Sequence, residues 1–181
     1  MNYYAAKELA DSFRTVRKNT LVIAQDLPQE KYAFRAVPDT RSVGELLAHI
    51  ALAHGFQYQI HATERRTTLE GFDFPSLLKR FTVEEKEPRS KDQILEMLRS
   101  SGEKWAGWVQ GLTDGFLAEQ VQMPAGMTPP AKSRFEMVLS VKEHEMHHRG
   151  QLMLIERLLG IVPHMTREMQ SRLAATAAAK R

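Results

Sequence analysis

The 181-residue chain contains no cysteine, which excludes disulfides, cysteine-bound zinc, iron–sulfur clusters and a thiol nucleophile of its own. Any metal must be held by nitrogen or oxygen, and seven histidines are available to supply nitrogen. Long hydrophobic runs are also missing. No stretch approaches the roughly 18 apolar residues that would span a bilayer. Lys7, Asp11, Arg14, Arg17 and Lys18 interrupt the region where the apolar core of a signal peptide would lie. A cytoplasmic location without membrane contact is therefore expected. Charge bias is slight. The net charge of +3 is carried by a tail with Arg167, Arg172, Lys180 and Arg181 against Glu168, leaving residues 1–165 balanced. A phosphate-tracking protein needs a basic stripe on its folded body, so no nucleic-acid partner is expected.

With 43% hydrophobic and 26% charged residues, the composition is that of one globular domain with a sizeable core. That domain is expected over residues 1–165, followed at 166–181 by a short basic, Ala-rich C-terminal helix or tail. Four long segments repeat apolar residues at helical spacing, and none shows convincing strand alternation. The first runs from about Tyr3 to Asp26, with Leu9, Phe13, Val16 and Thr20 on one face, and ends at Leu27-Pro28. The second opens near Thr40 to Ser42, where Ser42 and Glu45 have capping-box spacing, and continues to about Thr63. The third opens at Ser90, paired with Gln93, and runs through Trp105 and Trp108 to about Leu112. The fourth extends from about Ser133 to Leu159, stopped by Gly160 and Pro163. A further helix is expected from about Arg167.

The links joining segments two to three and three to four are long for antiparallel neighbours, which usually need two to eight residues. The first link holds Phe72, Phe74, Leu77, Leu78 and Phe81 and is too apolar to be a free linker. The second, through Pro124, Gly126, Pro129 and Pro130, reads as an ordered loop or lid. Met123 and Met127 in it are candidates for a pocket mouth or a structural cover. The resulting fold class is all-α, a four-helix bundle with long crossover connections.

The fourth segment carries the strongest chemical signal. On a helical wheel His144 and His148 lie about 40° apart, in the middle of the stripe formed by Met137, Val141, Ile155 and Leu159, with Gln151 beside them. A single core histidine is commonly satisfied by ordinary hydrogen bonds. Two at i and i+4 on a core face are costlier to bury, and that spacing aims two nitrogens at one point, as a metal pair requires. The second segment supplies His49, His54 and His61. Helical phase leaves His49 and His54 both open as partners, although a rim or surface position is favoured for His54 and His61. His147 falls at the stripe's edge.

His144-Glu145-Met146-His147-His148 also matches H-E-x-x-H, in which two histidines bind zinc and the glutamate serves as general base. Gly150 follows the second histidine by two residues where the extended motif needs three, and no edge strand is expected for a substrate. Glu168 is a distant candidate for a third ligand. The plainer reading of Glu145 is a solvated flank residue.

The run from Val141 to Leu152 resembles the last bundle helix of the DinB (DinB/YfiT-like) family. So does Arg41-Ser-Val-Gly-Glu-Leu-Leu-Ala-His49, with Phe34, Arg35 and Pro38 before it. The resemblance covers about residues 3–165. It implies a four-helix bundle binding a divalent metal, zinc or nickel, through His49, His144 and His148; the preference for His49 over His54 comes from this resemblance. It further implies a metal-dependent S-transferase acting on small electrophiles, with a low-molecular-weight thiol such as bacillithiol or mycothiol as cosubstrate, and a homodimer. The alternative is a non-catalytic, metal-stabilised binding or stress-response module; a metal-dependent hydrolase of the H-E-x-x-H type ranks below both. Gln57, Tyr58, Gln151 and Arg149 are weak pocket candidates, and Trp105 and Trp108 read as core packing.

Overall fold

Serine followed three residues later by Glu or Gln opens three of the four long helices. The side-chain oxygen of Ser42 accepts from the Glu45 amide, while the Glu45 carboxylate accepts from the Ser42 amide at 2.8 Å. Ser90 with Gln93 and Ser133 with Glu136 repeat the arrangement. Each box satisfies amide donors that a helix start leaves without internal partners.

The computed structural model describes residues 4–179; Tyr3, Lys180 and Arg181 lie outside the described residues. Helix α1 spans Ala6–Asp26, α2 Val43–Tyr58, α3 Phe74–Glu84, α4 Lys91–Gln110 and α5 Asp114–Ala118. Strands β1 (Gln120–Gln122) and β2 (Ala131–Ser133) pair antiparallel, and α6 (Arg134–Leu158) and α7 (His164–Ala178) complete the chain. Helices α1, α2, α4 and α6 form the bundle. Both α1 and α2 pack against α4 and α6, so the second and fourth long segments lie side by side. One apolar cluster joins Ile23, Leu47, Ile50, Leu98 and Leu152 near one end, and another joins Phe13, Trp105, Val109 and Val138 near the other. No helix among the described residues is long and apolar enough to cross a membrane.

Both long links carry structure of their own. The first contains α3, capped by Asp73 with Pro75 in its first turn. Its Phe81 ring packs edge-on against Phe56 of α2 at 4.8 Å between centroids. A Cβ on Gly55 would fall 2.5 Å from that ring, so glycine there lets α3 lie directly on α2. The second link contains α5 and the β1–β2 hairpin, where no strand was expected. Strands of three residues are too short for alternation to register in sequence.

The centre of the bundle is polar. Arg17 of α1 is buried and forms a two-pronged ion pair with Glu145 of α6, Nε to Oε1 at 2.9 Å and Nη2 to Oε2 at 2.9 Å. Thr20 donates to Glu145 Oε1 at 2.7 Å. The guanidinium also donates to the Leu98 carbonyl at 2.6 Å and the Ser101 hydroxyl at 3.2 Å on α4, and to the Ile50 carbonyl on α2. One side chain thus touches all four bundle helices. Gly102 makes room for it, since a Cβ there would lie 2.9 Å from the Arg17 side chain. Glu145 is therefore not the solvated flank residue that the wheel suggests. Helix α6 has buried neighbours on two sides, and Arg17 neutralises the carboxylate on the second.

Candidate metal centre

Three imidazoles converge where α2 meets α6. His49 Nε2 lies 3.2 Å from His144 Nε2, and His148 Nε2 lies 3.1 Å from the same atom. Among the described residues, His49, His144 and His148 form the group that could hold a metal ion, their ligand atoms lying within 4.8 Å of one another. Two of them have their tautomer set from behind. His49 Nδ1 donates to Glu85 Oε2 at 2.9 Å, and His148 Nδ1 donates to Gln151 Oε1 at 2.8 Å. Both Nε2 atoms therefore present bare lone pairs towards His144 Nε2. A proton on His144 Nε2 can serve one of those lone pairs and leaves the other unanswered.

A cation resolves that conflict by taking all three lone pairs. Zinc–nitrogen bonds of about 2.0–2.1 Å in tetrahedral geometry place ligand nitrogens about 3.3 Å apart, close to the two separations observed. His144 Nδ1 is buried without a hydrogen-bond partner, so Nε2 is the atom through which that ring can interact. The donor set and its spacing fit a divalent ion.

The electrostatics agree. Burial, followed by the nearby Arg41 charge and His148, pushes the His49 pKa down to about 3. Burial and the neighbouring histidines push His144 down to about 4, and burial lowers His148 as well. All three rings are neutral at physiological pH, the form that binds metal.

Glu85 is the residue that sequence reading missed. It caps the C-terminal end of α3, is buried, and accepts from both His49 Nδ1 and Arg41 Nε, each at 2.9 Å. A carboxylate behind a ligating imidazole orients the ring and raises its basicity. The only hint in the sequence is its place four residues after Phe81, in a link too apolar to be free.

A cleft of about 910 Å³ opens beside the group, with His148, Gln151, Glu85 and Arg41 in its wall. Gln151 thus stands where the wheel placed it. Met123 and Met127 do not line this cleft; Met123 packs beside Ile60, Val121 and Met137, as a cover would.

The other expected residues lie elsewhere. Glu145 and Glu168 are absent from the metal-capable group, and Glu145 is committed to Arg17 and Thr20, which removes it from the general-base role of an H-E-x-x-H site. His147 is exposed and outside the group. His54 is half-buried, its ring 5.9 Å from Trp105; His61 is fully buried and does not take the favoured rim position. His61 accepts from Arg134 Nη1 at 2.8 Å and donates to Gln57 at 3.0 Å. The reason is local. Residues Gln59–Thr63 form a π-turn, with the Glu64 amide bonded to the Gln59 carbonyl. The extra residue per turn shifts the helical phase, so a 100° projection fails beyond Tyr58. Tyr58 itself packs on Trp108, and Trp105 is core.

These features define an all-α bundle protein with a three-histidine group able to hold a metal ion between two neighbouring helices. The family model of the DinB superfamily matches residues 12–152, and the chain belongs to that superfamily. Its fold is similar to the crystal structure of a DinB-like protein, YjoA, from Bacillus subtilis. The TM-score is 0.61 at 18% identity, over 84% of this chain and 92% of the other. No curated protein matches the sequence.

Proposed function

We propose that the protein is a divalent-metal-dependent transferase that joins a low-molecular-weight thiol to a small electrophile, with His49, His144 and His148 as the metal ligands. The observation that carries this reading is the convergence of three Nε2 atoms at the edge of an open cleft. Structural metal sites are closed by four protein ligands, whereas catalytic ones keep a position free; among the described residues, no fourth histidine or carboxylate joins the three. An all-imidazole set suits zinc or nickel. An ion held there supplies a positive centre that lowers the pKa of a thiol and fixes its sulfur beside the cleft.

The chain's own residues do the rest. Glu85 and Gln151 hold two imidazoles in the tautomer that bares Nε2. The Leu154, Ile155 and Leu158 side of the cleft offers apolar surface to the body of an electrophile. Because the sequence has no cysteine, the sulfur must enter with a cosubstrate. In the same reading the protein works in the cytoplasm as a homodimer, for which the exposed Met165, Met169 and Leu173 on α7 offer apolar surface.

Metal analysis of untagged protein, together with turnover assays, tests the proposal. One ion per chain is expected in the parent and a marked loss in His49→Ala, with turnover of a small electrophile requiring both metal and added thiol. Unchanged stoichiometry in His49→Ala would remove that ligand, and turnover indifferent to thiol would remove the transferase assignment.

A further inference from the structure

Most charges in the cleft wall are already spent on one another. Arg35 donates to the Glu45 carboxylate at 2.7 Å and to the Thr40 carbonyl. Glu85 accepts from both Arg41 and His49. Arg41 is spent only in part. It donates through Nε alone, and neither terminal nitrogen of its guanidinium has a partner among the described residues. Its side chain is 37% exposed and shares the cleft wall with His148 and Glu85. Arg41 Nε and His49 Nδ1 each donate to an oxygen of the same Glu85 carboxylate at 2.9 Å, so one side chain separates Arg41 from the metal-capable group. Arg41 therefore stands beside the group as well as at the mouth of the cleft.

A divalent ion held by three neutral rings keeps both of its charges. Within the cleft wall the charges balance, Arg35, Arg41 and Lys86 against Asp39, Glu45 and Glu85, so the ion's own charge would leave the cleft positive overall. An anion is thus favoured in the cleft. The terminal nitrogens of one guanidinium form a planar fork that matches the two oxygens of a carboxylate. A doubly charged phosphate fits less well, because Asp39, Glu45 and Glu85 line the same wall. Leu154, Ile155 and Leu158 of α6 also line the cleft and suit an apolar spacer.

Resting on the metal-dependent reading above, we propose that the cleft selects a small amphipathic ligand with a metal-ligating atom at one end and a carboxylate at the other, and that Arg41 is the residue that reads the carboxylate. Arg41 is then a specificity-determining residue as well as the partner of Glu85.

The test compares 3-mercaptopropionate with 3-mercaptopropionamide, ligands of the same shape that differ in the charge of one end, by calorimetric titration of the zinc-loaded protein. A charge-assisted pair predicts that the acid binds about tenfold or more tightly than the amide. In Arg41→Gln, with zinc content measured separately, the ratio should fall close to one. Arg41→Lys, which keeps the charge but loses the fork, should give an intermediate ratio. An acid-to-amide ratio near one in the parent, the same preference in Arg41→Gln, or binding of neither ligand to zinc-loaded protein would overturn the proposal. Failure to load zinc in the parent would instead overturn the metal-dependent reading on which it rests, and this proposal with it.

Discussion

Replacing Glu145 by alanine separates two roles that the same residue could hold. Its position in the H-E-x-x-H spacing suggests a catalytic base, whereas the structure gives it to Arg17. The pair is 4% and 2% exposed, and the carboxylate takes three hydrogen bonds from Arg17 and one from Thr20. Removing one member of such a buried pair leaves the other charged and without its partner, a loss of about 3–5 kcal/mol. For a domain of this size each kcal/mol shifts Tm by about 2–4 °C, so the expected fall is about 6–20 °C. Glu145→Gln, which keeps the shape and the Thr20 bond, should lose less. A double variant, Arg17→Met with Glu145→Leu, should recover much of the loss, because buried pairs are often replaceable by apolar side chains. Denaturant unfolding followed by the fluorescence of Trp105 and Trp108 reads stability, and metal analysis of the folded fraction reads the site. Unfolding should shift strongly while ion stoichiometry in the folded protein holds. A Glu145→Ala protein as stable as the parent but unable to process substrate would refute the structural assignment and restore the hydrolase.

Two further expectations concern the metal site and pH. Glu85→Gln should weaken zinc binding about 10–100-fold, as removal of a carboxylate behind a ligating histidine does; competition with a chromophoric chelator measures it, and unchanged affinity would mean that Glu85 serves only Arg41. Metal-free protein should lose stability as pH falls from about 6.5 towards 4. Burial holds His54, His61 and His144 near 4 and His49 near 3 in the folded state, below the ordinary value near 6.5, so the unfolded chain takes up protons first. Glu156, pushed up to about 7 by burial, acts in the opposite direction over part of that interval, one group against several. Denaturation midpoints at pH 7.5 and pH 5 decide it, and a midpoint at pH 5 equal to or above that at pH 7.5 would contradict the burial of neutral imidazoles.

Much of this architecture is legible in the residues themselves. Ser42, Ser90 and Ser133 announce their helices because capping is local chemistry, written within four positions. The His144–His148 pair is legible for the same reason, since i and i+4 share a face whatever the rest of the chain does. His49 is less so, because the wheel leaves it level with His54, and what separates them is the placement of α2 against α6. Glu85 was illegible because it reaches the site through α3, whose seat depends on the Phe81–Gly55 contact. Glu145 and His61 failed for opposite reasons. The first is buried by a cation 128 positions away in sequence; the second is turned inward by a π-turn that breaks the phase on which the wheel depends.

The split origin of the three imidazoles bears on how an ion would stabilise this chain. His144 and His148 stay near neighbours even in an unfolded polypeptide, and such a pair binds metal weakly before any tertiary structure exists. His49, 95 positions from His144, joins only when α2 and α6 have docked and α3 has brought Glu85 behind it. Ligand linkage then depends on the difference between three-point and two-point binding, since affinity for the unfolded chain subtracts from the gain. In a polypeptide without cysteine, such an ion would act as a reversible cross-link between distant parts of the chain, whose strength would follow the concentration of free metal.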